Sequence, residues 1–340
     1  MHWDSTRNHK LHTQSDRQPC MVEAYRSIAS YLNGGCAVPS CLDSKVTNCD
    51  SSGAHSNLLS IPTWEGSVGE IDSLYGSLSE LLGCRKANRY VTDIIVHGSF
   101  GDGRLTHFSD VDLTVVLDNG VFEKQESITE LRAWVLSELC GRILKVDPLQ
   151  HHGPFYLWPD LMRSYSENIL PIDAYRKSWS VNHTTLDFLT EPNADEGKKP
   201  KAVMTMQALL DAESHFFSEG YHMYAVKRML SNLMLVPAML SQDLGKPISK
   251  AESFKWFYSV MGDSAEAVRR ATVMRANWPA TPGWVNRCTQ VFHYLRPNKP
   301  IPAKMVRKLY VSKATVDAIK KEIFPELPKM HRKIESVLCE

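Results

Sequence analysis

Two apolar segments, Tyr90 to Val96 and Val111 to Leu117, flank a glycine-bearing stretch, and each has the length and pattern of a strand. The link between them constrains this chain most: the first strand runs into His97-Gly98-Ser99, and the second opens as Ser109-Asp110-Val111-Asp112-Leu113. Glycine lets a backbone approach a ligand closely and adopt conformations closed to other residues. A turn that leaves a strand and enters a helix offers unpaired N–H groups, and the Ser99 hydroxyl adds a donor, so this stretch is the outline of a phosphate cradle. By itself it could equally be an ordinary turn. Asp110 and Asp112, two residues apart on a strand, share one face. Carboxylates so placed repel unless a cation lies between them, and hard oxygen ligands suit Mg²⁺ or Mn²⁺. The plain alternative, a polar strand start facing water, fits less well with Leu113 to Leu117, which read as an interior strand.

Around this link the chain reads as a compact unit. Ile71, Leu74, Leu78 and Leu81 recur at helical spacing over Val68 to Leu82, and Gly83 is a stop signal. Ser127 to Leu139 is expected to be a helix and Ile143 to Val146 a third strand, closed by Pro148. On a neighbouring third strand, Asp147 would be the natural third carboxylate beside Asp110 and Asp112, although a strand-end aspartate before a proline turn is common. Residues 1–60 are expected to be a weakly ordered extension in which only Met21 to Leu32 could form a short helix. Residues 61–180 would be the catalytic unit. Residues 176–200 read as a linker broken by Pro192, Asn193, Asp195, Gly197 and Pro200. Residues 200–340 read as helical, with segments at Met204 to Phe217, His222 to Leu240, Ser264 to Arg275, Trp284 to Leu295 and Thr315 to Ile323. Ser249 with Glu252 forms a capping box opening one more helix. The expected class is α+β: a small mixed-sheet core followed by an all-α domain.

Composition removes several alternatives. A net charge of +1 over 340 residues argues against a nucleic-acid coat or a polybasic membrane binder. The amino-terminal stretch lacks the apolar core of a secretory signal. The longest apolar run, Leu230 to Leu240, is interrupted by Ser231, Asn232 and Pro237 and is too short to span a bilayer. No membrane partner and a cytoplasmic location are therefore expected. Eight cysteines, Cys20, Cys36, Cys41, Cys49, Cys84, Cys140, Cys288 and Cys339, include no Cys-x-x-Cys pair and read as free thiols. From Lys299 onward, ten lysines and arginines face five acids. A solvated helical face explains that tail, so nucleic-acid contact is possible and not favoured.

The order Gly98-Ser99, a spacer with Gly101, Gly103 and Phe108, then Asp110-Val111-Asp112 resembles the signature of the DNA polymerase β-type nucleotidyltransferase superfamily. The resemblance covers about residues 68–150 and is similar in plan to minimal and aminoglycoside nucleotidyltransferases, which carry a helical domain after the core. It implies an enzyme that uses two Mg²⁺ or Mn²⁺ ions to move a nucleoside monophosphate, AMP in the first instance, from an NTP to a hydroxyl acceptor, a small molecule or a protein. Gly98 and Ser99 would bind the nucleotide. Asp110, Asp112 and Asp147 would be catalytic metal ligands. Lys227, from the helical part, would reach the triphosphate, the plain alternative being an exposed helical lysine; Arg228 is a similar candidate. His151 and His152 could line the acceptor site or relay protons, at most one of them if the loop is straight. Arg104 and His107 could meet phosphate. Trp256, Phe257, Tyr258 and Trp284 could stack a base, but at helical spacing they read as core. Two other readings remain: a synthase of oligonucleotide second messengers or an RNA terminal nucleotidyltransferase, and a catalytically silent nucleotide-binding or antitoxin-like module.

Overall fold

The computed structural model describes residues 21–35, 55–84, 89–167, 169–190, 200–246, 248–295 and 309–340. Helix α1 (Met21–Leu32) is followed by β1 (His55–Ile61), α2 (Gly69–Gly83) and β2 (Val91–His97). One helical turn, α3 (Gly98–Gly101), leads towards β3 (Asp112–Leu117). Next come α4 (Gln125–Trp134), α5 (Cys140–Val146), β4 (Phe155–Leu157), α6 (Pro159–Met162), β5 (Trp179–Ser180) and β6 (Thr184–Thr190). The remainder is helical: α7 (Lys201–Leu210), α8 (Ala212–His215), α9 (Met223–Asp243), α10 (Lys250–Met261), α11 (Glu266–Ala276), α12 (Gly283–Leu295), α13 (Lys313–Ala318) and α14 (Leu327–Cys339). The fold is thus an α+β core followed by an all-α region.

The central sheet has the order β4-β3-β2-β5, and β1 pairs with β6 in a separate ribbon. Strand β2 runs antiparallel to β3 with His97 opposite Asp112, whereas β3 and β4 are parallel with Thr114 opposite Phe155. Helices α2, α4 and α5 pack their apolar faces on this sheet through Leu74, Leu78, Ile128, Leu131 and Ile143. Asp93, buried on β2, accepts N–H groups from Ile94 (2.7 Å), Val181 (3.1 Å) and Asn182 (3.1 Å) through one oxygen, and so ties the turn after β5 to the sheet. The helices that follow enclose a second apolar cluster centred on α9, and that cluster includes Phe108 and Leu149 from the sheet unit. The edge of Phe108 meets the Trp278 ring at 5.2 Å. Those two side chains fix where the helical region closes over the end of β3.

Three expectations change. Ile143 to Val146 is not a strand: α4 continues through a π-type turn at Val135–Leu139 into α5, and Asp147 caps its end. Leu131, Val135, Leu139 and Ile143 recur every four residues, so burial of that stripe carries the helix past the point where a short apolar run imitates a strand. Within the segment read as weakly ordered, α1 buries Tyr25, Ile28, Tyr31 and Leu32 in the main core, and β1 pairs over its full length with β6. Part of the expected linker at 176–200 forms β5 and β6; the breakers Pro192, Asn193, Asp195 and Gly197 lie outside the described residues, as do Cys20, Cys36, Cys41 and Cys49 and the start of the basic tail. Half of the expected capping box forms: the Ser249 hydroxyl accepts the Glu252 N–H at 3.3 Å, whereas the Ser249 N–H, expected to meet the Glu252 carboxylate, donates to Asp173 at 2.8 Å. Among the described residues no helix is long and apolar enough to cross a membrane.

Candidate active site

The site is assembled where β2 ends and β3 begins. Gly98 has φ +64°, and a Cβ there would overlap the Asp112 carboxylate, so the turn requires glycine on both counts. The Ser99 hydroxyl accepts from the Arg275 guanidinium at 2.9 Å, which brings α11 onto the turn. Antiparallel pairing with β2 places Asp112 opposite His97, and Asp110 lies just ahead of the strand.

What holds Asp110 and Asp112 in place is Gln150. Its amide oxygen accepts the Val111 N–H at 3.0 Å, and its amide nitrogen donates to the carbonyls of Val111 and His152, both at 3.1 Å. The side chain extends the parallel pairing of β3 and β4 beyond the strand ends. It thereby carries the loop before β4 alongside the two aspartates. His151 Nδ1 comes to 3.2 Å from Asp110 Oδ1, and His152 Nε2 to 3.3 Å from Asp112 Oδ1. The loop bends enough for both imidazoles to face the site, their rings 5.1 Å apart and nearly perpendicular, where at most one was expected.

Lys227 is not an exposed helical lysine. It is fully buried on α9, its ammonium 2.9 Å from Asp110 Oδ1 and 2.7 Å from Asp147 Oδ2. Asp147 is brought near the site, but from the end of a helix rather than a strand. Its carboxylate is engaged by Lys227 and by the Leu149 N–H at 3.0 Å. The grouping with metal-ligand spacing among the described residues is instead Asp110, His151 and His152, whose ligand atoms lie within 4.8 Å of one another. Two imidazoles, not a third carboxylate, complete that grouping.

The charges respond to this packing. Burial opposes ionisation of Asp110, but Lys227 and the two imidazoles hold its carboxyl well below the usual range. Asp147 moves the other way: burial and the charge of Asp110 outweigh Lys227 and the Leu149 N–H, and it is pushed up to about 6. Lys227 is raised, because the two carboxylates outweigh its burial. Burial likewise opposes charge on His152, yet Asp112 and Asp110 push it up to about 9, while Asp112 itself is lowered. His97, buried beneath the site with its Nε2 3.1 Å from the Thr114 hydroxyl, is driven down to about 4 by burial and is neutral.

Two basic groups escaped the sequence reading. Arg275 projects from α11 to Ser99, and its Nε is buried without a partner. Lys250, at the first position of α10, is exposed, and the charges its ammonium feels are those of Asp112, Arg275 and Asp110. Neither stands near the motif in sequence, so only the helical region's closure reveals them. Of the other candidates, Arg104 pairs with Asp102 in an exposed salt bridge, and Arg228 lies over the Phe216 ring. His107 lines a polar cavity beside the site with Ser109, Thr106, Asp147, Glu70 and Asn286. Phe257 is core, Trp256 and Tyr258 pack against that core, and Trp284 is exposed.

The model of a nucleotidyltransferase domain family matches residues 78–151, a span that contains Gly98, Ser99, Asp110, Asp112, Asp147 and His151. The chain carries a nucleotidyltransferase domain, and it is a nucleotidyltransferase enzyme. No curated protein and no solved structure matches the chain.

Proposed function

We propose that the protein transfers a nucleoside monophosphate, AMP from ATP in the first instance, to a hydroxyl group of a small molecule or protein, with release of pyrophosphate. The observation that carries this reading is the convergence of the Gly98-Ser99 turn, the Asp110/Asp112 pair and the basic side chain of Arg275 at one place. The residues fit a divalent cation: buried polar atoms of Asp110 and His151 complete no hydrogen bond, and carboxylate and imidazole are both ligand groups. Asp110 and Asp112 would hold it, and when bound it supplies neutralisation of the triphosphate and of the developing charge in the transferred group.

The chain's own groups do the rest. Ser99 and Arg275 hold phosphate oxygens, the guanidinium by its planar fork. Asp147, with its carboxyl near 6, accepts the proton of the acceptor hydroxyl, and it faces the polar cavity lined by Ser109 and Asn286 where an acceptor would lie. Lys227 keeps Asp147 and Asp110 in register and remains charged throughout. Catalysis on this reading is chiefly positioning and charge neutralisation.

The test is pyrophosphate release from each of the four nucleoside triphosphates, with Mg²⁺ or Mn²⁺, against a panel of hydroxyl acceptors. Asp110→Ala and Asp112→Ala are each expected to lower the rate by at least about a thousandfold, as loss of a principal charge-stabilising group does. Unchanged turnover in both variants would sink the proposal.

A further inference from the structure

The ligand set beside Asp110 departs from the three carboxylates that the resemblance implies. We propose that the cation held by Asp110 and Asp112 is also ligated by the imidazoles of His151 and His152, and that the site takes a first-row transition-metal dication of the Mn²⁺ type in preference to Mg²⁺. The proposal depends on the nucleotidyl-transfer reading only for the location of the site.

Three observations carry it. First, the spacings are those of a coordination shell. Asp110 Oδ1 to His151 Nδ1 is 3.2 Å and Asp112 Oδ1 to His152 Nε2 is 3.3 Å. Ligands on bonds of about 2.1 Å meet at edges of about 3.0–3.4 Å in octahedral or tetrahedral geometry. Second, a hydrogen bond orients one imidazole as a ligand. His152 Nδ1 is 3.1 Å from the Gly153 carbonyl, which can only accept, so Nδ1 carries a hydrogen and Nε2 is the nitrogen turned to Asp112, where a bound cation would take the place of the Nε2 proton. Third, Asp110 Oδ1 and His151 Nδ1 are buried and complete no hydrogen bond, although the Lys227 ammonium lies 2.9 Å from the former. A second cation shared between the carboxylates and the imidazoles satisfies those atoms. Mg²⁺ favours oxygen and gives up its water reluctantly, whereas imidazole is a good ligand for the transition metals.

The decisive measurement is pulsed electron paramagnetic resonance on the chelator-stripped full chain loaded with Mn²⁺, which reports nitrogen bound to the ion. Nitrogen coupling is expected in the wild type and weaker in His151→Ala and His152→Ala. In calorimetric titrations each of these variants should lose about 10–100-fold in Mn²⁺ affinity while its Mg²⁺ affinity holds. His152→Asp should narrow the Mn²⁺ preference, and thermal melting checks that each variant folds. Should a variant fail to fold, the wild-type spectrum alone decides. Bound Mn²⁺ without nitrogen coupling overturns the proposal, as does equal affinity for the two ions in the wild type. Pyrophosphate release in a protein without nitrogen coupling would leave the proposed function standing and remove this one. Nitrogen coupling with no turnover of any triphosphate would do the reverse.

Discussion

At the scale of single residues, the lysine between two carboxylates decides how the site tolerates its own charge. Lys227 has no solvent exposure, and its ammonium serves both Asp110 and Asp147. Burying three such groups costs several kcal/mol per ion unless each finds its partners. Lys227→Met would strand two buried carboxylates, and loss of one partner from a buried pair costs about 3–5 kcal/mol. The variant is therefore expected to melt well below the wild type in chelator and to recover part of the difference when Mn²⁺ is added. Melting at the wild-type temperature in both conditions would show that the ion pair contributes nothing. The sequence places Lys227 on a helix but not inside the protein. Tyr224-Ala225-Val226-Lys227-Arg228 has the same local pattern whether the lysine faces water or carboxylates 80 and 117 residues earlier in the chain.

Among the elements, the pairing of β3 with β4 does most for the site. The ladder itself runs from Thr114 opposite Phe155 to Val116 opposite Leu157, and Gln150 prolongs it to the aspartates. Gln150→Leu keeps the shape but leaves the N–H and carbonyl of buried Val111 unpaired, which costs on the order of 3 kcal/mol. Denaturant unfolding should show that loss, and Mn²⁺ affinity should fall with it as His151 and His152 drift from the aspartates. Strands β2 and β3 were legible because each is a short apolar run bounded by turn residues. The third strand was misplaced because four apolar-rich residues, Ile143 to Val146, fit either period. The stripe Leu131, Val135, Leu139, Ile143 resolved the choice in favour of a helix, and the true neighbour of β3, Phe155–Leu157, is too short to announce itself.

Across the whole molecule, the amino-terminal helix belongs to the catalytic core. Tyr25 stacks on Trp158 with ring centres 6.1 Å apart, and Leu32 is completely buried. Asn33, just beyond α1, donates to the Pro154 carbonyl at 3.2 Å and accepts from the Tyr156 hydroxyl at 2.8 Å, bracing the strand that follows the two histidines. Leu32→Ala is expected to cost about 2–5 kcal/mol in denaturant unfolding, whereas Leu58→Ala, on a side chain that is 73% exposed, should change little. Equal, negligible effects would mean that α1 docks without contributing to stability. The opposite end of the chain acts through closure: α9 and α11 bring Lys227 and Arg275 to a motif far away in sequence.

The sequence by itself determined the parts whose causes are local. Gly98, Ser99, Asp110 and Asp112 lie within fifteen residues, and two strands with a turn between them suffice to put a glycine turn, a hydroxyl and two carboxylates together. The apolar stripes of the carboxy-terminal half determined its helices, and Ser249 with Glu252 marked the start of one. Only the tertiary structure decided which groups complete the site. Asp147 was aimed at a metal by an assumed strand and is held by a lysine at a helix end. The imidazoles of His151 and His152 lie against the two aspartates because a glutamine side chain extended a sheet. Arg275 and Lys250 were delivered by helices whose sequences record only that one face is apolar. Patterning fixes which side of an element is buried; which distant element covers it depends on how the sheet unit and the helices meet, here at Phe108 against Trp278 inside the second cluster.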